Sequence, residues 1–223
     1  MRYTFDVYGL YNGLFVMDDR QTGSVWAHYD GSVLTGPLAE EGPQLEILPI
    51  VHTTWSDWRE KHPASLVLDW YPEYSARYRQ IEPGRGGLGP QFQKTILNWD
   101  DRLPENALVL GVEAGGEYRG YPLETLAGSA GLVQDMLGGV GIVVLADTDK
   151  DYALAFASTL DGVAFIFANS DEGWVDQFGT VWDRTGEAIS GPDAGLQLAF
   201  VTSFVTEWYG WAAYHPDTTL YGQ

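Results

Sequence analysis

The sequence predicts a mainly β fold (α+β with short helices) that is built from two related halves. Short runs of aromatic and β-branched residues alternate with turn signals such as Asn12-Gly13 and Asp30-Gly31, which is typical of strands joined by tight turns. The 27 glycines and 11 prolines limit the helix content. With 45% apolar and 14% aromatic residues, the chain can bury a hydrophobic core.

The two halves carry the same landmarks in the same order. Ser24-Val25-Trp26 corresponds to Thr180-Val181-Trp182, and a Gly-x-x-x-x-Gly-Pro segment occurs at 31–37 and at 186–192. A Trp-x-x-Trp-x-x-x-His-Pro segment occurs at 55–63 and again at 208–216. The separation of the copies exceeds the roughly 20–50 residues of a solenoid repeat, so it indicates a duplicated module.

The first half is predicted to contain several short strands and one helix. The strands are predicted at Tyr3–Tyr8, Leu14–Met17, Ser24–Tyr29, Ser32–Leu34, Leu45–Val51 and Ser65–Asp69. Thr54 is the predicted N-cap of the helix because Asp57 stands three residues later, in the capping-box position. Pro63 marks the end of that helix.

The second half is predicted to follow a long irregular segment. Residues 81–104 include a stretch rich in glycine and proline that cannot hold regular structure, so they are predicted to form a linker. A hairpin is then predicted from Ala107–Glu113 and Glu117–Tyr121, and a helix at Leu123–Met136. The apolar run at Gly141–Ala146 is short enough to be a buried strand.

Charge and composition exclude several classes of function. The formal net charge is −19, with 12 Lys and Arg residues against 31 Asp and Glu residues. Nucleic-acid binding is therefore not expected, since it needs clusters of basic side chains. The absence of cysteine excludes disulfides, thiolate catalysis and iron–sulfur clusters. No apolar run approaches the ~18 residues of a membrane span, no signal peptide is recognised, and no cofactor is predicted.

Residues 5–63 carry segments that resemble the second half of the DUF3179 family of uncharacterised bacterial and archaeal proteins. These segments are Phe5–Trp26, Thr35–Leu38 and Thr54–Pro63. The family's first half is resembled later in the chain, by a hairpin at Leu108–Leu123 and a strand at Gly138–Val144. The resemblance therefore covers most of the chain, with its two parts in an unexpected order.

The family's most suggestive chemical feature is a Cys-Pro-Leu-Cys-Gly stretch after the central strand, with a His-Glu pair in the preceding helical segment. Such a pairing resembles a metal or redox site. Here Asp147 and Lys150 stand at the two cysteine positions, and Gly128–Gly131 stand in the His-Glu region. The resemblance thus implies a degenerate member of the family that is a non-enzymatic structural or assembly protein. It also implies an extracytoplasmic location, because relatives commonly carry export signals.

Two other functions stay open. An enzyme or ligand-binding protein would use a set of polar and aromatic candidates: Tyr11, Asn12, Asp19, Arg20, Trp26 and His28. A carbohydrate-binding module would use exposed tryptophans, since aromatic rings stack on sugars. Three pairs of tryptophans recur in both copies, which favours a shared core over a shared binding site. The tryptophans that do not recur are the better surface candidates: Trp70, Trp99 and Trp174.

Three alternating aspartates and two equivalent histidines are further candidates for a functional role. Asp147, Asp149 and Asp151 alternate after an apolar strand and are candidates for a hard cation such as Ca²⁺. The segment lacks the Gly and Glu of an EF-hand loop, so a solvated turn is the favoured interpretation. His62 and His215 are equivalent in the duplication, and we expect them to cap the C-terminal ends of their helices.

The order of the family segments also predicts an interaction with another protein. It implies a half-module at 1–80, a linker at 81–104 and a diverged complete module at 105–223. The strands of a half-module lack their usual neighbours, and unpaired edge strands are normally covered or paired. We therefore expect residues 1–35 to bind another protein subunit or to self-associate.

Overall fold

This computed structural model describes residues 2–68, 71–77 and 87–223, and its regular structure is mainly strand, in largely antiparallel sheets. The predicted mainly β class with short helices is confirmed. In the described parts of the chain, no helix is both long enough and apolar enough to cross a membrane. Trp70 and the first six residues of the predicted linker lie outside the described residues.

A four-stranded antiparallel meander forms the centre of the first half. Its strands pair in chain order: β1 (Phe5–Tyr11), β2 (Leu14–Asp19), β3 (Val25–Ala27) and β4 (Val33–Thr35). Three short helical segments follow: α1 (Trp55–Lys61), a 3₁₀ helix (Pro72–Arg77) and α2 (Pro90–Gln93). The side chain of Thr54 accepts a hydrogen bond from the backbone N–H of Asp57 at 3.3 Å, which confirms the predicted N-cap.

The second half contains more strands and two further helices. Its first part comprises β5 (Leu108–Ala114), β6 (Glu117–Pro122), α3 (Leu123–Gly128), β7 (Leu132–Leu137), β8 (Val140–Asp147) and β9 (Tyr152–Ala157). Its second part comprises β10 (Thr159–Leu160), β11 (Val163–Ala164), β12 (Phe167–Ser170), β13 (Gly173–Asp176), β14 (Val181–Trp182), β15 (Ala188–Ser190), β16 (Ser203–Glu207), α4 (Trp208–Tyr214) and β17 (Thr219–Leu220).

These strands form three sheets and one small hairpin. The sheet β12-β13-β14-β15 repeats the meander of the first half, and β7-β8-β9 is a three-stranded antiparallel sheet with a buried β8. The third sheet has the order β16-β5-β6-β17, with β17 parallel to β6. The hairpin β5–β6 therefore fills the middle of a sheet whose outer strands come from the end of the chain.

The two meanders share one internal hydrogen-bonded motif. Trp26 and Trp182 are completely buried. The indole N–H of Trp26 donates to Asp19 at 2.9 Å, and that of Trp182 donates to Asp176 at 2.8 Å. A buried indole needs an acceptor for its N–H, so the carboxylate is part of the core design in both copies.

A glycine closes each meander at the same place. Gly36 and Gly191 have φ angles of +105° and +97°. A Cβ atom on either glycine would lie 2.6 Å from the Cα atom of Ser24 or Thr180, respectively. The recurring Gly-Pro dipeptide is thus explained by backbone conformation and close approach.

Helix α4 packs on the sheet that contains β5 and β6. Trp208 and Trp211 are 0% and 2% exposed. Gly111 of β5 lies directly under one indole, because a Cβ atom there would be 2.1 Å from Cε3 of Trp211. Gly120 of β6 lies under the other, with a corresponding distance of 3.1 Å to Cζ3 of Trp208. Helix α4 can therefore pack closely on the hairpin, because the two positions beneath its indoles carry no side chain.

Two predicted strands of the first half are not formed. Residues 45–51 and 65–68 have no regular secondary structure, so the predictions of strands at Leu45–Val51 and Ser65–Asp69 are wrong for their described residues. Their residue types suit strands, but a strand also needs a neighbour for its backbone hydrogen bonds. In the described part of the chain, no strand pairs with either segment, although the N–H of Leu45 donates to the carbonyl of Gly31 at 2.9 Å.

The predicted helix at Leu123–Met136 is too long. Helix α3 ends at Gly128, and β7 begins four residues later. Ala130 and Gly131 have φ angles of +52° and +73°, which end the helix, and β7 then pairs along its length with β8. Within the predicted linker, residues 90–93 form α2 and Ile96 is buried.

The contact between Gly111 and Trp211 predicts a large effect of a small substitution. In Gly111→Ala, the new methyl group would overlap the indole ring, so we expect the free energy of unfolding to fall by about 1–3 kcal/mol. Gly9→Ala is the matched control, since a Cβ atom at Gly9 meets nothing within 4 Å. Urea unfolding measures both variants, and equal stability of Gly111→Ala and the wild type would refute the packing described here.

Candidate functional site

Tyr11 and Asn12 lie at the turn between β1 and β2, where the two halves meet. Asn12 is buried in a left-handed conformation with φ +50°. Its side-chain oxygen accepts from the backbone N–H of Leu97 at 2.8 Å, and its amide donates to the carbonyl of Ala213 at 2.5 Å. The carbonyl of Tyr11 accepts from the hydroxyl of Tyr214 at 3.2 Å. Both candidates therefore hold the halves together.

Asp19 and Trp26 are part of the buried core of the first meander. Besides the indole of Trp26, the Asp19 carboxylate accepts from the hydroxyl and backbone N–H of Thr22 and from the backbone N–H of Gln21. Burial alone raises the pKa of Asp19, but these hydrogen bonds outweigh it and hold the pKa below its ordinary value. These four hydrogen bonds occupy the carboxylate of Asp19, so its role is structural.

Arg20 and His28 lie at the surface in different places. Arg20 pairs with Asp6 at 2.6 Å, and both side chains are exposed. His28 lies with Nδ1 2.6 Å from the carbonyl oxygen of Phe15. Since Asp19 and the Asn12 turn are at opposite ends of β2, they are roughly 17 Å apart. The structure does not bring the six candidate residues into one site.

His28 does line a pocket of about 530 Å³ between the halves. The pocket is largely apolar, and its other walls come from β16 and from the irregular stretch before α1. These walls include Tyr29, Leu45, Ile47, Leu48, Ile50, His52, Phe204 and Val205.

The cation candidates lie at the end of β8 and in the turn that follows. Asp147 is paired with Lys150 at 3.0 Å. Asp151 has φ +50°, and its carbonyl oxygen lies 2.8 Å from Nδ1 of His52. Across the described ranges, no cluster of three or more His, Asp or Glu side chains has the arrangement of a metal site. Asp149 thus has no such cluster to join.

A cluster of four charged residues joins α1 to the second half, and it was not predicted from the sequence. This interface ion cluster consists of Asp57, Asp147, Lys150 and Arg184. Asp57 is only 6% exposed; it pairs with Arg184 and lies 3.2 Å from Lys150. The hydrogen bond from Arg184 is the largest cause of a strongly lowered pKa at Asp57. Nη1 of Arg184 is buried and lies 3.9 Å from Asp147.

A second contact between the halves also joins a loop of one meander to the helix region of the other half. Tyr29, in the β3–β4 loop, donates to Thr206 at 3.4 Å and packs against Phe204 and Tyr214. Arg184 lies in the corresponding β14–β15 loop and contacts Asp57. In each half, the loop between the last two strands of the meander therefore contacts the helix region of the other half. A signal for these contacts is present in the sequence, because Asp57 in α1 corresponds to Gly210 in α4, and Lys61 corresponds to Tyr214.

The largest difference between α1 and its equivalent α4 is the exposure of their tryptophan side chains. Trp55 and Trp58 of α1 are 49% and 39% exposed, whereas their equivalents Trp208 and Trp211 are buried. The expectation that recurring tryptophans form a shared core therefore fails for two of the three pairs and holds for Trp26 and Trp182. We call the surrounding surface the α1 face. Its exposed apolar residues are Ile50, Val51, Trp55, Trp58, Leu66, Val67 and Leu68.

The local structure of the α1 face is nevertheless that of its buried copy. The indole N–H of Trp58 donates to Ser65 at 2.8 Å, and that of Trp211 donates to Thr218 at 2.8 Å. Both helices end at a histidine whose backbone N–H bonds the carbonyl of the second tryptophan. The predicted C-terminal positions of His62 and His215 are thus confirmed, although the backbone forms the cap.

The histidine rings have a packing role beside the indoles. The ring centroids of His62 and Trp58 are 4.1 Å apart, and those of His215 and Trp211 are 4.2 Å apart. Burial lowers the pKa of His215 to about 4, so this ring is neutral at pH 7.

Comparisons with known proteins identify one similarity. A family model described as "Protein of unknown function (DUF3179)" matches residues 1–218. The matched span includes both copies of the duplication. No curated protein and no solved structure matches the chain.

The interface ion cluster predicts a pH-dependent stability. In Asp57→Asn, the buried Arg184 loses its main partner, so we expect unfolding to become easier by about 3 kcal/mol at pH 7. Because the folded-state pKa of Asp57 is lowered, its stabilisation is complete above the unfolded pKa of about 4 and is lost as the pH falls below it.

Urea unfolding at several pH values between 7 and 2 measures this difference. Asp6→Asn is the matched control, since Asp6 also pairs with an arginine but at the exposed surface, and it should change stability little. A gap between wild type and Asp57→Asn that stays constant down to pH 2 would count against the role of the cluster.

Proposed function

The chain belongs to the DUF3179 family of proteins of unknown function, and we propose that it is a non-enzymatic protein that works in an assembly. In this proposal, the first half binds another protein subunit through the α1 face. The observation that carries the proposal is the contrast between the exposed Trp55 and Trp58 and their buried equivalents.

The energetic argument starts from the apolar side chains of the α1 face. Leu66 is 97% exposed, and Leu68 and Ile50 are also largely exposed. Full burial of one such side chain contributes about 1.5–3 kcal/mol. Contiguous exposed apolar surface is typical of a site of protein–protein interaction, and paired tryptophans are frequent anchors of such sites.

A second exposed region supports the same proposal. On the edge strand β1, Val7, Tyr8 and Leu10 are exposed. The equivalent strand β12 lies beside β7, where the side chain of Gln134 bonds both the N–H and the carbonyl of Phe167. In the second half, the segment β5–β9 covers α4 and contacts β12 at the buried Phe167, whereas Ala168, Asn169 and Ser170 stay exposed. The proposed interaction surface therefore includes the α1 face in addition to residues 1–35.

The ion cluster supports the non-enzymatic part of the proposal. By the family resemblance, Asp147 and Lys150 stand where the family has its two cysteines. In this chain they pair with each other, and Lys150 also pairs with Asp57. These carboxylates are neutralised by neighbouring cations and stabilise the contact between the halves, which is a structural role.

Ligand binding is a second candidate function, and the pocket beside His28 favours it. An apolar pocket of about 530 Å³ has the size of a small-molecule site. Carbohydrate binding would instead use an exposed tryptophan that does not recur, such as Trp99, and a glycan that stacks on it would quench tryptophan fluorescence. Saturable binding of either kind, with no association of subunits, would favour these alternatives.

The assembly proposal predicts self-association of the isolated protein through its uncovered face. In sedimentation velocity at micromolar concentration and moderate salt, we expect species larger than the 24.7 kDa chain. The double variant Trp55→Ser with Trp58→Ser should shift the protein to the monomer. Trp99→Ser is the matched control, because Trp99 is exposed outside the α1 face, and it should associate like the wild type.

A wild-type protein that stays a folded monomer of about 25 kDa across this range, and that binds no other polypeptide through the α1 face, would overturn the proposed assembly role. A tightly bound metal in the purified protein, or turnover of a substrate, would overturn the non-enzymatic part.

A further inference from the structure

We infer that the partner on the α1 face is a two-stranded β-hairpin of a separate polypeptide, of the same kind as residues 108–122 of this chain. The inference rests on the proposed function, because it names the occupant of the face through which the assembly forms. It follows from comparing the covered and the uncovered copy of the same structure.

The covered copy defines the geometry of the occupant. Strand β16 is antiparallel to β5, with Phe204 opposite Gly111 and Thr206 opposite Val109. Strand β17 is parallel to β6, with Leu220 beside Gly120. The hairpin therefore inserts between two segments that are separated by helix α4.

In the described residues of the first half, both outer segments are present without a hairpin between them. By the spacing that aligns Trp55 with Trp208, residues 50–54 correspond to β16 and residues 66–67 correspond to β17. Neither segment forms a strand, and most of their side chains are exposed. A hairpin in this gap would give both segments the backbone partners that they lack.

Two small residues on the hairpin would provide specificity. In the covered copy, Trp211 and Trp208 occupy the space above Gly111 and Gly120, where a Cβ atom would be too close or tightly packed. The same local geometry at Trp58 requires a partner with glycine, or an equally open position, at the corresponding points. A hairpin with large side chains at both points does not fit.

The α1 face is already in the conformation that a hairpin needs. The bond from Trp58 to Ser65 matches that from Trp211 to Thr218, and both are 2.8 Å long. The interface ion cluster fixes α1 through the buried Asp57. A preorganised site loses less conformational entropy on binding, so a hairpin can bind without prior folding of α1.

A second copy of this chain is a poor source of the hairpin. Its residues 108–122 already pair with its own β16 and β17 and already receive its own Trp208 and Trp211. Release of that hairpin would expose two buried indoles to cover two half-exposed ones. A second copy is therefore disfavoured, and the proposed occupant is a free hairpin of this type on a different polypeptide.

The first test uses a head-to-tail cyclised peptide with the sequence of residues 106–123, because isolated linear hairpins are only marginally stable. Added to the full chain, it should bind in a 1:1 ratio, shift the tryptophan emission to shorter wavelength and dissolve the self-associated species. Affinity should fall at least about tenfold for the Trp58→Ser protein and for a peptide with Gly111→Val. The Trp99→Ser protein should bind like the wild type.

The second test measures the register in which the hairpin pairs with residues 50–54. Because the chain has no native cysteine, no native thiol competes with the cysteine of the peptide for the introduced cysteine. A Thr53→Cys protein should form a disulfide with a peptide that carries Val109→Cys, since these positions correspond to the opposed Thr206 and Val109. A peptide with Leu110→Cys is the control, because adjacent residues of a strand point to opposite faces. Equal crosslinking of both peptides would overturn the inferred register.

The outcomes separate the two proposals. If the peptide does not bind while the wild type self-associates through Trp55 and Trp58, the hairpin inference is wrong and the assembly proposal stands. If neither occurs, both are wrong. An intermolecular disulfide in the Thr53→Cys, Val109→Cys double variant of the protein would show a swapped hairpin, and would overturn the assignment to a separate polypeptide.

Discussion

The packing of Trp208 and Trp211 against two glycines of the β5–β6 hairpin is the constraint on which the second half of the molecule depends. Trp211 can lie against β5 only because Gly111 has no side chain. This contact fixes α4 on the sheet and places β16 and β17 on either side of the hairpin. The same helix in the first half has the indoles but not the glycines, and its outer segments remain without strand structure. The proposed hairpin partner would account for both the exposed indoles and the absent strands.

Contacts between the halves explain how the first half keeps its structure. Tyr29 packs against the helix region of the second half, and Arg184 binds Asp57 in the helix region of the first. Asn12 adds a buried hydrogen-bonded link. These contacts differ in chemistry between the copies, aromatic on one side and ionic on the other. The duplication has thus diverged where each copy meets the other, while the indole–carboxylate motif of the meanders is unchanged.

Features set by local chemistry could be predicted from the sequence. The cap at Thr54, the turn at Asn12-Gly13 and the apolar strand β8 depend on residues close together in the chain. Strands at 45–51 and 65–68 could not be predicted correctly, because their formation depends on a neighbour that residue patterns do not reveal. The duplication predicted equal burial for the tryptophan pairs, yet Trp58 is exposed for the same reason. The pairing of Asp57 with Arg184 was missed because it joins residues far apart in the sequence.

Hydrogen exchange of backbone amides in the duplicated segments gives a direct reading of the missing hairpin. In dilute protein below the range of self-association, amides at 50–54 should exchange nearly as fast as those of an unstructured peptide, while amides at 203–207 are protected by β5. With the cyclised peptide of residues 106–123 present, 50–54 should become protected and 203–207 should not change. Protection of 50–54 in the free protein equal to that of 203–207, or no gain on addition of the peptide, would show that the α1 face is not an open docking site for a hairpin.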